Sequence, residues 1–194
     1  CGSGLIDLLA EMFRNGIIDT LGKIRRDIES PYIRKGPEGY EYVVVPAEES
    51  ALGVDIVVTE KDIYNLIDSK SSVCAAIAVL MKKMRLTLND IRRVYVCGAF
   101  GRYLNLDSAM AIGMIPEFTR AELIYIGNGS LAGAYASLVS VEYREEAKRV
   151  AKLIMYYDLM KDPDFMDEYL AGFVLPGKKE LFPTWWEASR RKRK

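Results

Sequence analysis

The chain contains no histidine among its 194 residues. That removes imidazole general acid–base catalysis, Ser–His triads and histidine metal ligation from the chemistry it can supply. Cysteine is scarce: Cys1, Cys74 and Cys97 are odd in number, far apart and form no CxxC pair. A zinc or iron–sulfur site made by this chain alone is therefore not expected, and buried thiols in a reducing cytosol are. No apolar run approaches the roughly 20 residues that span a bilayer, and no signal peptide is legible. Neither sign of charge is in excess, with 27 Lys and Arg against 27 Asp and Glu. The broad basic excess of an electrostatic nucleic-acid binder is thus missing. The one basic run, Arg190 to Lys194, reads as a solvated terminus. The first residue is not methionine, which suggests a piece of something longer. Two phosphate signatures are also absent, the Walker A loop and the dinucleotide fingerprint.

What remains is half hydrophobic and 28% charged, enough to bury a core. Leu5, Leu8, Leu9, Met12 and Phe13 predict a helix over Gly4 to Asn15, ended by Gly16. A polar connection follows over Asp27 to Gly39. Tyr40 to Val45 and Val54 to Thr59 predict a strand pair. Thr59 precedes a long helix from Glu60 to about Arg85, with a stripe of Ile63, Ile67, Lys70, Cys74, Ile77, Met81 and Met84. Val94 to Cys97 reads as a buried strand, then a glycine loop and a helix near Leu106 to Ile112. Leu123 to Ile126 starts a second such unit, with helices over Ser130 to Val139 and Glu142 to Ile154. A short strand near Met155 to Leu159 is predicted next, then a helix opened by Asp162-Pro163 and reaching Ala171. The remainder reads as irregular packing around Trp185 and Trp186. Strands alternating with helices indicate an α/β layer fold.

Three segments place small residues at a helix start: Gly2-Ser3-Gly4, Gly98-Ala99-Phe100-Gly101 and Gly127-Asn128-Gly129. Helix N-termini carry unpaired N–H groups and partial positive charge, and glycine lets a ligand approach the backbone. One such turn alone is commonly no more than a tight turn. Three in one lobe are candidates for holding a polyphosphate and its nucleoside. Lys70, on the apolar seam of the long helix, either snorkels to the surface or reaches an anion in a cleft.

The order of these segments resembles a known family. Cys1-Gly2-Ser3-Gly4-Leu5-Ile6-Asp7 and Gly16-Ile17-Ile18-Asp19 resemble the CGSGLID…GIID segment of the reductive activators of corrinoid enzymes. Thr59-Glu60-Lys61-Asp62-Ile63 is similar to their T-Q-K-D-I, with Glu60 in place of Gln. Val94 to Gly101 resembles V-Y-L-A-G-A-F-G, and Ile126 to Ala134 resembles I-G-N-A-A-L-A-G-A. Asp162-Pro163-Asp164-Phe165, Asp167-Glu168 and Leu181-Phe182-Pro183 match the closing segment.

The resemblance implies an α/β fold of the acetate/sugar kinase, Hsp70 and actin (ASKHA) superfamily, with ribonuclease-H-like lobes, here a partial domain. Residues 1–160 would be the ATP-binding lobe and 161–194 a packing segment of the same domain. It implies ATP with magnesium, and a corrinoid protein as partner, returned from Co(II) to Co(I) in the cytoplasm. A homodimer is reasonable; nucleic acid and membrane are not expected as partners. Gly98, Ala99, Phe100 and Gly101 would form the adenosine loop, with Gly127, Asn128 and Gly129 beside it. Gly2, Ser3 and Gly4 would face the phosphates or ribose, and Lys70 would contact nucleoside or phosphate. The family's Asp-x-Gly-Thr-like phosphate hairpin and its iron–sulfur cysteines are not in this sequence. The chain alone is therefore expected to be inactive, with no catalytic residue assigned and no metal site of its own. Two other readings stay open: a small-molecule kinase lobe of the same fold, and a non-enzymatic module that docks the corrinoid protein.

Overall fold

A computed structural model describes residues 2–191; Cys1 and residues 192–194, the end of the basic run, lie outside the described residues. The chain order is α1 (Gly2–Arg14), β1 (Ile33–Gly36), β2 (Gly39–Val45), β3 (Ile56–Thr59), α2 (Glu60–Lys83) and β4 (Arg93–Val96). Then come α3 (Gly98–Tyr103), α4 (Leu106–Ala111), β5 (Glu122–Tyr125), α5 (Gly129–Val139) and α6 (Val141–Leu153). A 3-10 turn (Leu159–Lys161), α7 (Phe165–Ala171) and α8 (Pro183–Arg191) complete it.

Two sheets form. The first is an antiparallel β1-β2-β3 meander, and the second pairs β4 with β5 in parallel, Val94 opposite Leu123 and Tyr95 opposite Ile124. β1 lies in the segment expected to be a connection. Its sequence, Ile-Arg-Lys-Gly, carries no alternation, and charge ties it down instead. Arg34 pairs with Glu41 on β2 at 2.8 Å and with Asp55 at 2.6 Å.

α2 starts where Thr59 predicted. The Thr59 hydroxyl accepts from the Asp62 N–H at 3.1 Å and Asp62 accepts from the Thr59 N–H at 2.9 Å, a reciprocal cap. Its buried face runs through Ile63, Ile67, Lys70, Cys74, Ala78 and Met81. The expected stripe drifts at its end: Ala78 and Val79 are buried where Ile77 was expected, and Met84 is exposed. By length and composition α2 passes as a membrane span, contrary to the sequence expectation, yet it serves as the central helix of the fold.

The core joins α1, α2, α4 and the segment after α7. Ile6, Leu9, Met12, Ile63, Ile67, Ala109, Ile112 and Leu175 are each at most 2% exposed. The C-terminal segment belongs to this core and closes over α2. Glu168 meets Lys82, Asp162 meets Lys83, and the Tyr169 hydroxyl donates to Asp68.

Four further expectations fail. The stretch around Trp185 and Trp186, expected to be irregular, is helical as α8. Met155 to Leu159 forms no strand, because no neighbouring strand offers it a ladder; Met155 and Tyr156 lie open to solvent. α7 begins at Phe165, so Pro163 stands before the helix and not at its first position. β4, expected to be buried, alternates between exposed and half-buried residues.

Candidate functional site

Each parallel strand delivers the chain into a glycine turn at the same end of the two-stranded sheet. Their ladder continues past the strands, with the Ile126 N–H donating to the Val96 carbonyl at 3.0 Å. It closes with the Gly98 N–H donating to the Gly127 carbonyl at 2.8 Å. The two turns are thus tied backbone to backbone. Gly98 (φ 87°) and Gly127 (φ 67°) both hold left-handed conformations that side chains disfavour.

A Cβ built on Gly129 would lie 3.6 Å from the Cβ of Cys97, so the start of α5 abuts the start of α3. α1 arrives from the other side: a Cβ on Gly2 would lie 3.2 Å from the Phe100 ring. The three glycine-bearing helix starts therefore meet in one place. Gly101 is buried for a different reason, since a Cβ there would strike the Val96 side chain at 2.7 Å. It lets α3 fold tightly back on β4.

The turns face open space. Around Gly4, Gly98, Gly127 and Gly133 a Cβ would meet nothing within 4 Å. Gly98 and Gly127 are required by their backbone, but Gly4 and Gly133 sit in helices where alanine is better by about 1 kcal/mol. Packing within the chain gives neither of them a reason to be glycine. Asn128 caps α5, its side-chain oxygen accepting from the Leu131 N–H at 3.0 Å. Cys97 offers α3 no such cap, and of its first-turn N–H groups that of Gly98 is taken by the Gly127 carbonyl. Phe100 stands 47% exposed at the rim, a flat apolar surface beside the donors.

Lys70 is not at this place. It is 1% exposed, and its ammonium donates to the Pro176 carbonyl at 3.0 Å inside the protein. Burial lowers its pKa to about 8. It holds the C-terminal segment to α2, and contact with a nucleotide would require it to leave the core. Cys97, as the link between two turns, and Gly133, as a helix glycine facing empty space, escaped the residue-by-residue assignment. A glycine inside a predicted helix was the available signal for Gly133. Among the described residues, no three His, Cys, Asp or Glu side chains gather to hold a metal ion.

Residues 1–185 match the family model described as the C-terminal domain of RACo, the ASKHA domain. The chain belongs to this family. A solved structure of a reductive activator for corrinoid, iron–sulfur protein superposes with a TM-score of 0.83 at 41% identity, over 95% of this chain and 30% of that one. The corrinoid activation enzyme RamQ of Eubacterium limosum is 28% identical over 177 residues, 88% of this chain and 30% of that protein. The [Co(II) methylated amine-specific corrinoid protein] reductase of Methanosarcina barkeri is 24% identical over 159 residues, 82% of this chain and 25% of the relative. The chain therefore spans less than a third of the length of each. The mixed α/β architecture is that of an ASKHA domain, in which the converging turns mark the candidate nucleotide site.

Proposed function

We propose that this chain is the C-terminal nucleotide-binding part of an ATP-dependent reductive activator that returns Co(II) corrinoid proteins of methyltransferase systems to Co(I). The observation that carries the proposal is the meeting of Gly2, Phe100, Gly98, Gly127 and Gly129 at one open end of the β4–β5 pair. The likeness of the chain to activators and a reductase of corrinoid proteins supports the choice of reaction.

Gly98, Ala99, Phe100 and Gly101 would receive the nucleoside, with the Phe100 ring as an apolar wall. Gly127, Asn128 and Gly129 would lie against the sugar, and the start of α1 at Gly2, Ser3 and Gly4 would offer N–H groups to the phosphates. Magnesium would come with the nucleotide and take its protein ligands from outside the described residues. Lys70 is left out of the set, as a core residue. Residues 1–160 would be the nucleotide-binding lobe and 161–194 a packing segment of the same domain, in keeping with Leu175 lying wholly buried in the core with α1, α2 and α4.

The reaction moves one electron. An iron–sulfur domain elsewhere in the full-length protein is oxidised by one electron, and the corrinoid cobalt is reduced from Co(II) to Co(I). That transfer runs uphill from ordinary donors, so nucleotide must favour one conformation of the activator–corrinoid complex over another. The setting is the reducing cytoplasm, in keeping with the buried thiol of Cys74 and the exposed one of Cys97.

The test uses full-length protein, a reduced electron donor and a Co(II) corrinoid protein, following the Co(I) absorption band. Wild type is expected to form Co(I) only with ATP, and Gly98→Asp to form little Co(I) even with ATP, because the new side chain enters the space proposed for the nucleoside. Equal Co(I) formation with and without ATP would overturn the proposal.

The second reading, a docking module, draws on a different observation. Leu131, Tyr135 and Leu138, one turn apart on α5, are 65–74% exposed. Corrinoid-protein affinity that survives with no ATP binding at all would select it.

A further inference from the structure

A second hollow lies between the end of α2 and the C-terminal segment, and none of the glycine turns lines it. It encloses about 430 Å³ and is walled by Ala78, Met81, Leu86, Leu88 and Leu181. That is within the range of small-molecule sites, about 300–1,000 Å³. The local sequence builds it. Arg85 adopts a left-handed conformation (φ 56°), and the Leu86 N–H turns back to the Met81 carbonyl at 2.9 Å. This reversal folds Leu86 and Leu88 over the last turn of α2.

The polar part of the wall is unusual. Glu168 has a side chain only 3% exposed, and one of its oxygens, Oε1, accepts from Lys82 Nζ at 2.6 Å and from Lys178 Nζ at 2.8 Å. Burial pushes the Glu168 carboxyl up, but the bonds from Lys178 and Lys82 outweigh it and hold its pKa below the ordinary value. Two ammonium groups thus converge on one singly charged group, and each has two N–H donors left over. Both lysines are part-exposed, at 50% and 34% of their side chains. Among the described residues neither makes a second ion pair within 4 Å, although Asp164 and Asp167 add their charge near Lys82; Glu180, the other acid lining the hollow, pairs with neither. Lys82 ties α7 to α2 and Lys178 ties it to the C-terminal segment, so two ammonium groups stand side by side at the edge of an apolar hollow.

We propose that this hollow binds a small organic anion, with a short apolar stem against Met81, Leu86 and Leu181 and a carboxylate or phosphate head on Lys82 and Lys178. This goes beyond the nucleotide site and does not depend on it. The experiment titrates the full chain by calorimetry with hexanoate, hexyl phosphate and hexan-1-ol. At least one anion is expected to bind about 10-fold tighter than the alcohol or better, and the tighter anion identifies the head group. Lys178→Met, which leaves Lys82 on Glu168, is expected to erase the preference for the anion. Met81→Trp, which fills the hollow, is expected to abolish binding of all three. Lys82→Met replaces Lys178→Met should the latter not fold. The proposal is overturned if the wild type binds neither anion, if the alcohol binds as tightly, or if either variant binds like wild type.

Discussion

Two halves of this molecule are built to opposite rules. In the block of α1, α2, α4 and the C-terminal segment, apolar side chains on the inner faces are buried together, and Gly113, Gly172 and Gly177 stand where a neighbour leaves no room. In the arm of β4, β5, α5 and α6, Gly127 and Gly133 stand where no described residue is near, and Leu131, Tyr135 and Leu138 of α5 face outward. No residue of α5 or α6 is buried, although α5 carries no charged residue. A helix apolar all round is normally enclosed, and a parallel pair of strands is normally covered on both faces. The first half is stabilised by its own chain. The second leaves α5 and α6 without a buried residue.

The sharpest way to break this contrast is one substitution made in both halves. Gly113 and Gly127 both have positive φ, at 75° and 67°. A Cβ on Gly113 would lie 1.5 Å from the Pro176 carbonyl, whereas one on Gly127 would meet nothing. Gly113→Ala is expected to cost about 4 kcal/mol or more, or to prevent folding. Gly127→Ala should cost only the backbone penalty of about 1–2 kcal/mol. Denaturant melts of the two variants check the difference. Equal losses would mean that the arm is as tightly enclosed as the block.

A second pair is expected to differ by somewhat less. Leu9→Ala, at 2% exposure, should lose about 2–5 kcal/mol. Leu131→Ala, 65% exposed, should stay within about 0.5 kcal/mol of wild type. A large loss at Leu131 would show that α5 is covered within the chain.

Gly4→Ala has a small expected effect on stability, and its sign is reversed. It should stabilise α1 by about 0.5–1 kcal/mol while weakening nucleotide binding by the full-length protein about 10-fold, as a methyl group enters the open cradle. Thermal melting and nucleotide titration report the two separately. Stabilisation with unchanged affinity would remove Gly4 from the site.

The seam where the C-terminal segment closes on α2 carries a pH signature. The Asp162 carboxyl is lowered from 3.8 to about 2 by the Tyr157 hydroxyl bond first, against burial, and then by Lys83. A depressed carboxyl contributes stability that is present above about pH 4 and lost as pH falls towards 2. Acid titration of wild type against Asp162→Asn should show a steeper loss in the wild type, since Glu168 and other lowered carboxyls act in both. Lys70 has the opposite sign: with its pKa lowered from 10.5 to about 8, its own contribution to stability rises between those values, against a fall from Cys74, which burial raises from 9.0 to about 11. Lys70→Met should abolish the rise.

The sequence made some of this legible and not the rest, for identifiable reasons. The helix starts at Thr59 and Asn128 were readable because capping is local, and the glycine turns because strand, glycine and helix follow directly. β1 was not, because Arg34 draws it into the sheet through Glu41 and Asp55, which are 7 and 21 residues away. Met155 to Leu159 looked like a strand because it is apolar, but an apolar run becomes a strand only beside a partner. Val94 to Val96 looked buried for the same reason, and its covering is not supplied by this chain. Lys70 looked like a ligand contact through the family resemblance, since a lysine on an apolar seam either snorkels to the surface or reaches an anion. The acceptor it found was the Pro176 carbonyl, 106 residues away.

The most direct test follows the backbone amides of the full-length protein by NMR as a magnesium–ATP analogue is added. The account predicts that the signals of Gly2, Gly4, Gly98, Gly127 and Gly129 shift together with one shared affinity, while those of Met81 and Lys82 stay in place. Saturating nucleotide that leaves the five glycines unmoved and shifts another part of the chain would contradict it.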